Sequence, residues 1–127
     1  MKKILLLALS AVLLCPEVFG QSCTIISKAN NITPDKLCSP VTAIWNVSYS
    51  GVNNAGTPVS IRFDWDNGVV RTVRAIQTSP GVFQAEDTNI YTSAGNICNY
   101  HPRATLMVNG VLCTSSAQEQ IVTVLDD

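Results

Sequence analysis

The side chains in this sequence that could do chemistry are few, and the acidic ones gather around one short segment. Asp64, Asp66 and Asn67 lie almost side by side, and Glu86 with Asp87 forms a second acidic pair. Calcium prefers carboxylate and amide oxygens, so Asp64, Asp66 and Asn67 are candidate calcium ligands. Their spacing is not that of an EF-hand loop, and an Asp-Asn-Gly run is also typical of a solvated turn.

Catalytic groups are harder to assemble. His101 is the only histidine and is followed by Pro102, a pair that is typical of a bulge or an edge within a strand. No serine lies in a Gly-x-Ser-x-Gly motif, and no nucleophile comes with a base and an orienting group. We therefore expect no catalytic residue and no enzyme activity, and no cofactor apart from calcium as an alternative.

The amino terminus has the layout of a secretory signal peptide. Lys2 and Lys3 supply positive charge, residues 4–14 are apolar, and small or tolerated residues end the segment at Gly20. The apolar run is shorter than the roughly 20 residues of a membrane-spanning helix, so it predicts a cleaved signal over 1–20 and not a transmembrane protein. Cys15 could accept a lipid, although Leu14 before it is bulkier than lipoprotein signals favour. The protein is expected to be secreted or held at the cell surface.

Residues 21–127 form one domain by length. The chain has a formal net charge of −1 and no basic run. Nucleic acids require a concentrated basic patch, so we expect no nucleic-acid partner. The four cysteines after the signal are an even number in an exported chain, and none are spaced as zinc-ligand pairs, which favours two disulfide bonds.

Strand signals dominate, and helix signals are nearly absent. Alternation is clearest around residues 59–65 and 43–49, where it predicts that Trp45, Phe63 and Trp65 belong to the core. About seven strands predict an all-β, immunoglobulin-like sandwich. The strands are expected at 21–27, 42–50, 58–66, 69–76, 82–90, 97–108 and 111–125, with a loop over 30–40 and a break near 115–118.

The pair Asn109-Gly110 predicts a tight hairpin, with Val108 facing Val111 and Leu106 facing Cys113. Continued without a break, this register places Cys98 opposite about Ile121, roughly 26 Å from Cys113.

A disulfide requires Cα atoms within about 7 Å, so Cys98–Cys113 is disfavoured together with its complement Cys23–Cys38. Two pairings remain. The sandwich favours a bond between Cys38, just before the second strand, and Cys98, at the start of the sixth, because these two strands begin at the same end of the sandwich. It favours a bond between Cys23 and Cys113 because the first and seventh strands both begin at the opposite end.

Two segments resemble polycystic-kidney-disease (PKD) domains. The run FDWDNG at 63–68 is similar to their Trp-Asp-Phe-Gly-Asp-Gly signature, and IYTSAG at 90–95 is similar to their tyrosine-glycine pattern before the sixth strand. The likeness covers about residues 38–126 and is closest to PKD-like modules of secreted and surface proteins of Bacteroidetes-type bacteria. The cysteines lie outside that family's pattern.

The resemblance implies a non-catalytic interaction, adhesion or spacer module over 21–127. Such a module can stand at the amino terminus of a larger surface protein. Its expected partner is a protein or polysaccharide at the cell surface. Carbohydrate binding is one alternative, with Phe83, Tyr91 and Tyr100 as the aromatic rings outside the predicted core. Calcium-dependent adhesion is the other.

Overall fold

A computed structural model of the chain describes residues 23–93 and 97–126. The predicted signal peptide over 1–20 and Cys15 lie outside the described residues. The described strands are β1 Ser27–Pro34, β2 Val41–Ser50, β3 Val59–Asp64, β4 Val70–Arg74, β5 Ile76–Ser79, β6 Val82–Tyr91, β7 Cys98–Tyr100, β8 Arg103–Val108, β9 Val111–Leu112, β10 Gln118–Glu119 and β11 Val122–Val124.

These strands form an all-β, immunoglobulin-like sandwich, as the sequence predicts. One sheet has the order β1-β2-β6-β5. The other has the order β10-β8-β3-β4, with β9 also paired to β8, and β11 pairs with β7. β7 and β8 are two parts of one extended segment, and β9 to β11 run back along it.

The predicted core is confirmed. Trp45 on β2 and Phe63 on β3 are fully buried, as is Trp65 just after β3. Trp45 meets both of the other rings edge-on, with ring centroids 5.7 Å apart in each case. Such edge contacts between buried rings add about 0.5–1.5 kcal/mol each to the burial of apolar surface.

The Asn109-Gly110 hairpin is also confirmed. Both residues have positive φ, 53° and 78°, as a type I′ turn requires. Val108 lies opposite Val111, and the Cys113 N–H donates to the Leu106 carbonyl at 2.8 Å.

Beyond the hairpin, the continued register is wrong by three residues. A 3-10 turn of three residues, Thr114–Ser116, interrupts the returning strand. The Ser116 hydroxyl stabilises it by accepting the Leu106 N–H at 2.7 Å and donating to the Cys113 carbonyl at 2.6 Å. Cys98 therefore lies opposite Val124 instead of Ile121.

The first strand lies later than predicted. In place of a strand over 21–27 and a loop over 30–40, β1 spans Ser27–Pro34. Among the described strands it pairs with β2 alone, at the edge of its sheet, and most of its side chains are exposed. An edge strand with so little buried surface needs no alternating apolar residues, so its polar sequence carries no strand signal.

Asn30 anchors this edge strand to the opposite sheet. Its side-chain oxygen accepts the indole N–H of Trp45 at 3.0 Å and a hydrogen bond from Gln120. Its amide donates to the side chain of Gln118, which lies on β10, at 2.8 Å. The buried indole N–H of Trp45 thus has its acceptor in β1.

The single strand expected over 69–76 is in fact two strands in different sheets. β4 pairs with β3, whereas β5 pairs with β6. The chain crosses between the layers at Ala75, whose N–H donates to the Val59 carbonyl at 2.9 Å. Both halves are extended, so the residue pattern alone carries no signal for the crossing.

One of the two favoured disulfides is present. Cys23 and Cys113 are bonded, with Cα atoms 5.4 Å apart. The expected Cys38–Cys98 bond is not formed, and both residues are free thiols.

The last strand separates these two thiols. Cys38 pairs with Leu125 and Cys98 pairs with Val124, on the two sides of β11. Paired residues share a face, while neighbours along a strand face opposite ways, so the two side chains lie on opposite faces. Two strand spacings, about 10 Å, also exceed the reach of a disulfide.

Candidate functional site

The three candidate calcium ligands form hydrogen bonds with the backbone of a turn and its surroundings. One Asp64 oxygen accepts the Asp66 N–H at 3.1 Å, and one Asp66 oxygen accepts the His101 N–H at 2.8 Å. The Asn67 amide donates to the Ile90 carbonyl at 3.4 Å. Asp66 itself has a φ of 62°. The arrangement fixes the turn after β3 against the strands beside it.

The side chains of the second acidic pair, Glu86 and Asp87, lie on opposite faces of β6. Glu86 lies exposed on the outer face of its sheet, whereas Asp87 points between the sheets. Asp87 accepts the indole N–H of Trp65 at 2.8 Å and pairs with Arg71 at 3.0 Å. Among residues 23–93 and 97–126, no three His, Cys, Asp or Glu side chains group as metal ligands.

The lone histidine lies beside an open depression of about 430 Å³ lined by His101, Glu119, Gln120 and Ile121. Glu119 is already paired with Arg103, through a bond of 3.0 Å from the guanidinium Nε. None of the described residues that line this depression is a serine, threonine or cysteine. The arrangement therefore offers an imidazole without a nucleophile to activate.

The three rings expected outside the core belong to it or pack against it. Phe83 and Tyr91 are buried, and Tyr100 stacks on Tyr91 with ring centroids 4.3 Å apart. The Tyr91 hydroxyl donates to the Trp65 carbonyl at 2.7 Å. Burial raises the pKa of Tyr91, and the nearby negative charge of Asp66 raises it further, so the hydroxyl stays a donor. These rings offer no exposed platform for stacking on a sugar.

The outer face of the β1-β2-β6-β5 sheet carries three side-chain amides that form no hydrogen bond among the described residues: those of Asn31, Asn46 and Gln84. A shallow depression of about 210 Å³ lies on it, where outward side chains come from three strands. We call this the amide depression; its outward residues are Ala29, Asn31, Asn46, Ser48 and Gln84.

Strand register explains the shape of the amide depression. Ala29, Ser48 and Gln84 form one row straight across the sheet, and Asn31 lies directly opposite Asn46 in the next row. The small side chains of Ala29 and Ser48 form the floor of the depression, and the longer amide side chains form its rim. Within the described part of the chain, the side-chain amides of Asn31, Asn46 and Gln84 make no hydrogen bond. They contrast with Asn30 and Gln118, whose amides bind internally.

Sequence reasoning found only part of this face. The alternation over 43–49 that predicts Trp45 as core also predicts that Asn46 and Ser48 face outward, and they do. Ala29 and Asn31 were missed because β1 was placed too early, and Gln84 carried no signal of its own.

The fold defines an immunoglobulin-like sandwich with a shallow, amide-lined depression on the outer face of one sheet. A scan against protein-family models finds no match, and a search of curated proteins finds no relative. Within the described residues, no helix is long and apolar enough to cross a membrane.

Proposed function

We propose that this protein is a non-catalytic, extracellular interaction module that uses the outer face of the β1-β2-β6-β5 sheet. The observation that carries the proposal is how the polar groups are used. Asp66 and Asp87 stabilise the fold, whereas the amides of Asn31, Asn46 and Gln84 have no partner among the described residues. An exposed sheet face with unused donors and acceptors is suited to binding.

The extracellular setting is supported by the signal-like segment over 1–20 and by the Cys23–Cys113 bond, since disulfides persist in oxidising compartments. The PKD-like assignment rests on the sequence resemblance at 63–68 and 90–95. A role in adhesion or spacing, with a surface protein or polysaccharide as partner, is the role that this resemblance implies.

A binding assay tests the proposal. Labelled protein, added to envelope and extracellular material of its host, is expected to bind saturably. Removing two candidates for chemistry, in Asp64→Asn/His101→Ala, should leave that binding unchanged. Turnover of any envelope component that is lost in this double variant would contradict a non-catalytic role.

The effect of calcium on stability distinguishes the proposed module from the calcium-dependent adhesion alternative. A cation present at a free concentration of a hundred times its dissociation constant stabilises the protein that binds it by about 2.7 kcal/mol. We expect the melting temperature to be the same in calcium and in chelator. A calcium-dependent rise that disappears in Asp64→Asn would favour calcium-dependent adhesion instead.

A further inference from the structure

The chemistry of the amide depression restricts what it can hold. Among the described residues no charged side chain lines it, and the exposed Glu86, paired with Asn46 at its edge, disfavours an anionic ligand. Each carboxamide of Asn31, Asn46 and Gln84 offers two N–H donors and one acceptor oxygen. A sugar hydroxyl donates and accepts in the same way, and it carries no charge. The match is to a neutral polyol.

Size and shape agree with this match. At about 210 Å³, the depression is smaller than the roughly 300–1,000 Å³ of pockets for drug-sized ligands. It is open at the surface and crosses three strands, so a longer chain can pass over it with one ring seated. Ile76 extends the Ala29-Ser48-Gln84 row and is 67% exposed, which places an apolar side chain where a C–H face of the sugar can pack.

We infer that the amide depression binds one sugar ring of a neutral polysaccharide. Asn31, Asn46 and Gln84 exchange hydrogen bonds with its hydroxyls, and Ile76 contacts the ring beside it. This inference rests on the proposed function, because it names the ligand class of that same face.

The test is a titration of the ¹⁵N-labelled protein, followed by NMR, with soluble oligomers of glucose, mannose and galactose. At least one neutral oligomer should shift the backbone signals of Ala29, Asn31, Asn46, Ser48 and Gln84 together. Removing one amide, in Asn46→Ala or Gln84→Ala, should weaken binding about three- to tenfold, the cost of one or two neutral hydrogen bonds. The matched control is Gln77→Ala, an exposed glutamine on β5 outside the depression, which should leave the affinity unchanged.

Three results would overturn the inference. The first is no shift with any of these oligomers, and the second is shifts confined to another face. The third is broadening of the depression's own signals as protein concentration rises without sugar, which would make this face a contact between copies of the chain. If envelope binding persists in any of these cases, the interaction-module function holds while the carbohydrate assignment fails.

A glycan attached covalently to this chain is the remaining alternative occupant of the depression. Asn31-Ile32-Thr33 and Asn46-Val47-Ser48 both match the Asn-x-Ser/Thr acceptor pattern for glycans. The intact mass of protein from its own host should equal that of the polypeptide. Added sugar mass located at Asn31 or Asn46 would mean that the depression is covered by an attached glycan, and the inference would fail.

Discussion

Trp65 and Asp87 connect the two layers of the sandwich. Trp65 follows β3 of one sheet, Asp87 lies on β6 of the other, and the indole N–H of Trp65 donates to the carboxylate at 2.8 Å. Arg71 completes the contact from β4, 3.0 Å from the same carboxylate oxygen. A fully buried indole has its only polar group satisfied by this carboxylate.

Asp87→Ala should therefore lower the free energy of unfolding by about 1–3 kcal/mol, because the buried indole N–H loses its acceptor. Asp87→Asn keeps an acceptor oxygen and should cost less. Denaturant unfolding measures both variants. Glu86→Ala, at the exposed neighbouring position, should stay within about 0.5 kcal/mol of the parent, and an equal loss in both alanine variants would contradict this explanation.

Asn30 and Asn31 give a matched pair of neighbours on opposite faces of β1. Asn30→Ala removes the acceptor of the Trp45 indole N–H and the donor to Gln118, so it should destabilise the fold by about 1–3 kcal/mol. Asn31→Ala should leave stability nearly unchanged. Thermal and denaturant unfolding of the two variants provide the comparison, and the reverse order would show that β1 does not anchor the sheets.

The Cys23–Cys113 bond closes a loop with a sequence separation of 90 residues. Replacing both cysteines by serine should cost about 4–5 kcal/mol in the chain-entropy treatment of disulfides. The melting temperature should fall accordingly. Cys38→Ala removes no bond and should lower stability far less than the double variant. Similar losses in the two proteins would imply that Cys38 is bonded after all.

Thiol labelling tests the same cysteines directly. Protein unfolded without reductant should react with iodoacetamide at Cys38 and Cys98, and peptide masses should show Cys23 still joined to Cys113. Protection of Cys38 and Cys98 before reduction would demonstrate a second disulfide.

Alkaline pH should destabilise the protein through Tyr49 and Tyr91. Burial raises the pKa of both hydroxyls in the folded state, so their contribution is complete below the ordinary tyrosine pKa of about 10. It declines as pH rises further, because the unfolded chain releases its protons first. Denaturant unfolding between about pH 9 and 11 should show this decline, in a Cys38→Ser/Cys98→Ser background that prevents thiol exchange. Tyr91→Phe should reduce the slope; an unchanged slope would assign the loss to other groups.

Where the sequence predicted structure well, the signal was local. Alternation along β2 and β3 identified Trp45, Phe63 and Trp65 as core, because a strand's neighbours must face opposite sides. Asn109 and Gly110 identified their turn because few residues tolerate positive φ at both positions.

The failures depended on contacts between distant parts of the chain. The position of β1 depends on Asn30 reaching Trp45 and Gln118, which its polar sequence does not reveal. The turn at Thr114–Ser116 shifts the register that was used to pair the cysteines. The amide depression combines residues from three strands, so it required the register of β1 before it could be recognised.

Arg71 and Asn67 also have a consequence for aggregation. β5 pairs with β6 only as far as Gln84, and beyond it, within the described chain, no strand covers that side of β6. Arg71 donates to the Thr88 carbonyl at 2.9 Å and Asn67 to the Ile90 carbonyl at 3.4 Å. Those carbonyls are the acceptors that a strand from another molecule would need in order to extend the sheet. Two side chains from the neighbouring layer thus hinder edge-to-edge polymerisation at the longest open stretch of β6.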